Sequence, residues 1–293
     1  MTEQNLIAHG GPAPQRGDRS IGAILVEAGR LTGEEAEHIV QLQKERALSF
    51  GEAGMRAGLL AQADIDLALA FQFNYPYLLR GQSAVSEEVI AAYSLFTPEV
   101  EALRALRGQL MQRWFDPDPS HKTLAIVSAE RKEGRSYIAA NLAVLFSQLG
   151  KRTLLIDADM RNSSLHRLFG LDNSNGLSAV LSGRGGPDSI QRIPELGEFS
   201  VLTAGSQPPN PSDLLARPLF SHLLQESAKG FDIVLVDSPA TAHNADAQSI
   251  TMSAGGALIV VRKDTSRFSR VKGIADHGVH LSATIVGTVL NDY

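Results

Sequence analysis

The chain has 293 residues, a net charge of -5 and no cysteine. That length accommodates two units with cores of their own, the acidic balance argues against bulk nucleic-acid binding and against a surface drawn to anionic lipid, and the lack of thiols excludes disulfides and cysteinyl metal sites. No apolar run approaches the length of a membrane span, and the first residues lack the basic-then-apolar layout of a secretory leader, so a cytoplasmic protein is expected.

Residues 1–18 are polar, rich in Gly and Pro, and too poor in apolar side chains to fold alone; they are expected to form a disordered tail. An internal repeat follows. Gly22 matches Gly51, Gly29 matches Gly58, Leu31 matches Leu60 and Gln43 matches Gln72, all at one offset of 29. Each copy reads as a short helix, a turn at its second glycine, and a second helix with apolar residues at helical spacing (Ala36, Ile39, Val40; Ile65, Leu69). Residues 19–80 are therefore expected to form one small helical tandem-repeat domain.

Residues 81–118 read as a linker carrying a helix. Ser86 and Thr97 are each suited to an N-cap, and Pro98 with Glu99 opens a helix running to about Trp114, before Asp116-Pro117-Asp118-Pro119 breaks it. Beyond it apolar runs alternate with amphipathic stretches, giving strands over 123–128, 152–157, 199–202, 232–237, 257–261 and 284–290 and helices over 136–149 and 214–228. Near-continuous Val/Ile/Leu strands imply burial on both faces, hence a mostly parallel sheet flanked by helices across residues 119–293, an α/β fold of the P-loop NTPase class.

The strand-loop-helix stretch LAIVSAERKEGRS carries the chemistry. Its loop, Ala129, Glu130, Arg131, Lys132, Glu133, Gly134, leads into Arg135, Ser136 and Tyr137, so that Gly-Arg-Ser stands where a phosphate loop has Gly-Lys-Ser. Arg135 keeps the charge of that lysine but replaces a compact ammonium by a planar fork, which is not conservative where geometry matters. Two further strands end in acids: Asp157, with Asp159 two residues on, and Asp237. In open α/β sheets such strand ends converge on the ligand. Ser136 and Asp237, with Asp157, are the expected Mg²⁺ ligands, and Asp157 or Asp159 the group that orients a nucleophile or takes its proton; ATP and Mg²⁺ are the expected cofactors. Taken singly, each acid has the plainer reading of a helix cap.

The stretches LLIDADMRNSSLHRLFGLDNSNGLSAVLSG and LTAGSQPPNPSDLL, with VDSPA followed by Asp246-Ala247, resemble the bacterial tyrosine kinases that control exopolysaccharide chain length, over roughly residues 97–291. Within them the chain is similar to the EpsG-type kinases, in which a Gly-Arg-Ser loop is expected. The resemblance implies an ATP-dependent protein-tyrosine kinase partnered by a membrane chain-length or co-polymerase protein, placed at the inner membrane through that partner. It also implies an oligomerisation motif at Glu101, Arg104 and Arg107, and an adenine contact at Asn291. The chain departs from the family in having Arg131-Lys132 where Pro-Gly is usual, in Ser238 and Ala240, and in lacking a C-terminal tyrosine cluster, Tyr293 alone closing the sequence.

The 29-residue repeat resembles the tandem N-terminal module of type II secretion and pilus ATPases, some of which bind cyclic di-GMP through a leading arginine. Ser20 and Ser49 stand at that position here, with Arg19 beside the first, so protein docking is favoured over cyclic di-GMP binding. Two alternatives share the second unit's fold: a nucleotide-gated or catalytically weak scaffold, suggested by the altered loop, and a ParA- or MinD-like ATPase, which the acidic balance and the PPNPSDLL loop disfavour. On this reading the basic stretch 262–272 is a solvated face. The eight histidines show no ligand spacing.

Overall fold

The computed structural model describes residues 20–72, 75–78, 80–241, 245–280 and 283–292. The expected tail and Tyr293 lie outside them. The chain forms two compact units, one ending at Tyr77 and one beginning at Leu78.

The first unit is built from two copies of a helix pair, α1 (Ile21–Glu27) with α2 (Gly33–Arg46), and α3 (Phe50–Arg56) with α4 (Gln62–Gln72). The sequence repeat is reproduced in the backbone hydrogen bonds. Gly29 and Gly58 take φ of 67° and 70°, the left-handed turn that ends α1 and α3, and the Arg30 N–H bond to the Leu25 carbonyl recurs 29 residues on as Leu59 to Gly54. Ser20 and Ser49 are helix caps: Ser20 accepts from the Ala23 N–H and Ser49 from that of Glu52. Gly22 lets the first copy close on the second, since a Cβ would meet the Phe50 ring at 3.1 Å, and Gly51 lets α3 close on α4, where a Cβ would meet Ile65 Cδ1 at 2.9 Å. Ile39 and Ile65 are buried as the spacing requires; Leu69 is half-buried, and Val40 is exposed beside a cavity of 690 Å³ lined also by Ala36, Phe50 and Gln72.

The second unit is a seven-stranded sheet of order β3-β4-β2-β5-β1-β6-β7: β1 (Thr123–Ser128), β2 (Thr153–Asp157), β3 (Ile190–Arg192), β4 (Phe199–Leu202), β5 (Ile233–Asp237), β6 (Gly256–Arg262) and β7 (Thr284–Asn291). All pairings are parallel except β3 with β4. The central strands are buried throughout, which is why their sequences are uninterrupted apolar runs. The register pairs Asp157 with Asp237, so two acid-ended strands finish side by side. Next to β1, α7 (Arg135–Gln148) is buried nearly all round.

Three expectations are corrected. Residues 81–118 are not a linker. Val85, Val89, Ala92, Tyr93, Val100, Leu103, Leu110, Trp114 and Phe115 join α7 in one hydrophobic cluster, because these apolar side chains pack on a side of α7 turned away from the sheet. Two buried amides of α7 fix the arrangement: Asn141 Oδ1 accepts from the Ala91 N–H at 2.9 Å, and Gln148 Nε2 donates to the Ala91 carbonyl at 2.9 Å. Ser86 does not cap a regular helix. Its hydroxyl accepts from the Glu88 N–H within a turn, and α5 (Ile90–Tyr93) begins later with no side-chain cap. The helix read over 214–228 is two, α10 (Pro211–Leu215) and α11 (Pro218–Gly230), because Pro218 has no N–H to continue the first and is suited to open the second. The short edge strand β3 was not legible, since Ile-Gln-Arg has no apolar pattern.

Thr97 caps α6 (Pro98–Leu110) as expected, accepting from the Val100 N–H, and the helix then widens into a π-turn over Met111–Phe115. That turn presents Trp114 to the sheet, its Nε1 donating to the Thr123 carbonyl at 3.1 Å. The indole lies against Gly256, where a Cβ would fall 2.4 Å from Trp114 Cζ2. Gly256→Ala is expected to destabilise the second unit by about 1–3 kcal/mol through overpacking, read as a lower urea midpoint at unchanged slope.

Candidate nucleotide site

The loop 129–134 joins the end of β1 to α7, whose N-terminal end carries the partial positive charge that favours an anion. Its shape depends on Gly134, which has φ of 92° and would place a Cβ 2.1 Å from Asn291 Nδ2. Asn291, at the end of β7, donates to the Glu133 carbonyl at 3.1 Å and so touches the loop itself. Glu133 is buried and braces the loop: one carboxylate oxygen accepts from the Glu130 N–H at 2.8 Å, the other from the Ser266 hydroxyl. Arg262 Nη1 donates to the Lys132 carbonyl at 3.1 Å, and Arg270 pairs with Glu130. Arg262, Ser266 and Arg270 of the stretch read as a solvated basic face thus brace the loop, a partial correction that depends on β6 lying next to β1, while Lys263, Arg267 and Lys272 are exposed as expected. Ala129 is buried and Tyr137 half-buried, the Tyr137 carbonyl accepting from Asn141.

Below the loop the acids meet. The Arg135 side chain is 8% exposed; Nε donates to Asp237 Oδ1 at 3.2 Å, Nη1 to the Ser128 hydroxyl at 2.6 Å and Nη2 to Asp159 Oδ2 at 3.2 Å. Ser136 donates to the other Asp237 oxygen. Asp157 accepts from the backbone N–H groups of Asp159 at 3.2 Å and of Ser164 and Leu165 at 3.1 Å each, so it also caps α8 (Leu165–Phe169). Burial, reinforced by the neighbouring Asp237 charge, pushes Asp157 up to about 8, against the pull of those N–H groups. Asp237 is pushed up to about 6 by burial, with Arg135 and the Ser136 hydroxyl opposing. Asp159 is the acid that reaches open space: with Arg131, Arg161, Asn162, Gln207, Pro239 and Ala240 it lines a cavity of 410 Å³. A second cavity, of 550 Å³, is lined by residues 132–137 together with Ser86, Glu88, Ser164, Arg167 and Leu168. Ser136 and Asp237 supply hard oxygen donors of the type Mg²⁺ takes, but the guanidinium of Arg135 already lies against Asp237 and Asp159, and among the described residues no three carboxylate or imidazole side chains group as a metal site.

Arg161, Ser212 and Asp246 form a link that motif spelling did not reveal. Asp246 is 1% exposed, accepts from Arg161 Nε at 3.0 Å and from the Ser212 hydroxyl, while Arg161 Nη2 reaches Ser212 at 3.0 Å. Each residue lies in one of the three motif stretches, the only sequence signal that could have found them. Of the Glu101, Arg104 and Arg107 stripe, the structure turns two members inward: Arg104 bonds Glu101 and the Leu95 carbonyl, and Arg107 Nη1 donates to the Leu145 carbonyl at 3.0 Å. Glu101 is exposed.

No protein-family model matches the chain. Among curated proteins, the tyrosine-protein kinase YwqD of Bacillus subtilis is 31% identical over 209 residues, covering 71% of this chain and 87% of that one. The tyrosine-protein kinase Wzc of Salmonella typhimurium is 32% identical over 192 residues, 66% of this chain but only 26% of its own length, so the chain spans about a quarter of that relative. Among solved structures, the kinase domain of the Escherichia coli tyrosine kinase ETK superposes with a TM-score of 0.62 at 33% identity, over 66% of this chain and 74% of that one. The Pyrococcus horikoshii septum site-determining protein MinD, complexed with Mg-ADP, is a more distant likeness, with a TM-score of 0.51 at 26% identity over 59% and 70%. The fold is thereby that of the P-loop NTPases, and the chain belongs to the bacterial tyrosine-protein kinases.

Proposed function

We propose that the chain is an ATP-dependent protein-tyrosine kinase that acts in exopolysaccharide assembly with a membrane chain-length or co-polymerase protein. The observation that carries this reading is the convergence of Ser136, Asp157, Asp159 and Asp237 beneath a loop opening α7, at the ends of three neighbouring strands. Loop N–H groups would hold the phosphates, while Ser136 and Asp237, with Asp157 behind them, would hold Mg²⁺. The metal's part when bound is to neutralise phosphate charge. Asp159, facing the cavity that Arg161 and Gln207 also line, is placed to accept the proton of an incoming tyrosine hydroxyl. Among the described residues no helix is long and apolar enough to cross a membrane; attachment to the inner membrane would come through the partner. The exposed Glu101 and the helix that bears it would face a second copy, giving a homo-oligomer.

Incubating the chain with ATP, Mg²⁺ and the partner's cytoplasmic segment is expected to yield phosphotyrosine, detected by antibody and mass spectrometry. Asp159→Asn should lower that yield by about 10²–10⁴-fold, the usual span for a lost general base, while nucleotide affinity measured by calorimetry changes little. Tight Mg-ATP binding with no transfer to any partner tyrosine would instead identify a nucleotide-gated scaffold.

A further inference from the structure

The loop carries three cations, Arg131, Lys132 and Arg135, and the structure separates their roles. Arg135 stands where a P-loop lysine is expected, yet it is 8% exposed and its fork is set on Asp237, Ser128 and Asp159. A guanidinium held in this way is geometrically committed: its planar donors match two carboxylates and a hydroxyl, and turning it toward a phosphate would strip buried Asp237, 0% exposed, of its counter-charge. Lys132 is the opposite case. It is exposed at the 550 Å³ cavity at the head of α7, which the buried Arg135 also borders. Its φ is 63°, in the left-handed region that a residue with a Cβ enters only against a steric penalty. Glycine would adopt that backbone freely. Arg262 Nη1 donates to the Lys132 carbonyl, a contact from outside the loop to the residue that carries this conformation.

We infer that the two tasks joined in a P-loop lysine, balancing the acids and binding phosphate, are divided in this chain. Arg135 is the internal counter-cation of Asp159 and Asp237, and Lys132 is the ammonium that meets the phosphates of a bound nucleoside triphosphate. The second half rests on the nucleotide reading proposed above; the first half does not. Strain at 132 is then the mark of a side chain used at the ligand, and burial at 135 the mark of one used by the protein.

The test compares Lys132→Gly, Arg131→Ala and Arg135→Lys with the wild-type chain, by calorimetric titration with a non-hydrolysable Mg-ATP analogue and by urea midpoints without nucleotide. Lys132→Gly removes the ammonium and relieves the backbone, so affinity should fall by about 10-fold or more, the span for a lost charge-assisted bond, with the midpoint unchanged or raised. Arg131→Ala, which removes the loop cation that lines the 410 Å³ cavity with Asp159, should cost less affinity than Lys132→Gly. Arg135→Lys should lower the midpoint without nucleotide, because an ammonium cannot serve three acceptors in a plane. Affinity of Lys132→Gly within twofold of wild type, or an equal loss in Arg131→Ala, overturns the lysine assignment. An unchanged midpoint in Arg135→Lys overturns the counter-cation. If the wild-type chain binds no nucleotide, the proposed function and the Lys132 assignment fall together, whereas the midpoints still decide Arg135.

Discussion

Arg135→Met is expected to lower the unfolding free energy of the second unit by about 3–5 kcal/mol without nucleotide, the range found when one partner of a buried ion pair is removed. Methionine roughly fills the space of the arginine stem but leaves Asp159 and Asp237 without their shared counter-charge, Asp237 being fully buried and Asp159 6% exposed at the edge of the 410 Å³ cavity. The substitution should be partly rescued by Asp237→Asn, which removes the charge left behind. A double-mutant cycle on denaturant unfolding measures the coupling. Equal losses in Arg135→Met and Arg135→Met/Asp237→Asn would mean that the guanidinium acts by packing alone.

The second large effect concerns pH. Asp157 ordinarily titrates near 3.8 and is pushed up to about 8 in the folded chain by burial and by Asp237. A raised carboxyl means that the folded state holds the proton more tightly than the unfolded chain. Its contribution is therefore complete below the unfolded value and is lost as pH rises toward 8. Asp237, pushed up to about 6, acts in the same direction over a narrower window. At 1.36 kcal/mol per unit the Asp157 shift corresponds to several kcal/mol by order of magnitude. Stability of the wild-type chain is expected to decline from pH 5 to pH 8.5, and Asp157→Asn to flatten most of that decline while becoming the more stable protein at the alkaline end. Asparagine keeps an amide oxygen that can accept from the Ser164 and Leu165 N–H groups, so the cap of α8 survives the change. An Asp157→Asn chain with the wild-type slope would assign the pH response elsewhere.

What the sequence made legible was whatever depends on local pattern. The parallel sheet followed from apolar runs, the repeat from an offset, and the acid cluster from acids ending buried strands next to a Gly-Arg-Ser loop. What escaped depends on which element lies beside which. Residues 81–118 look like a connector because their apolar positions are spread over short helices and turns; the hydrophobic cluster they share with α7 and the Asn141 and Gln148 bonds to Ala91 reveal that they help to cover it. The 262–270 buttress escaped because charged residues on one helix face normally mean solvent, and because the contact with Glu130, Lys132 and Glu133 crosses from β6 to β1. Arg135 was visible as an oddity of spelling, but its direction was not, since a side chain at the head of a helix can point outward or inward and the acids that hold it come from two other strands.

The amides of Asn141 and Gln148 also set where this protein can be cut and rejoined in evolution. A recombination junction at the start of β1 would divide a hydrophobic cluster, exposing the α7 side that Val89, Tyr93, Leu103 and Trp114 cover and orphaning two buried amides. A junction near Tyr77 and Leu78 divides neither core. Different N-terminal modules can therefore be exchanged in front of the same catalytic unit only if the exchange carries the cover of α7 with the sheet, so the heritable block is longer than the nucleotide fold by some forty residues, the distance from Leu78 to Thr123.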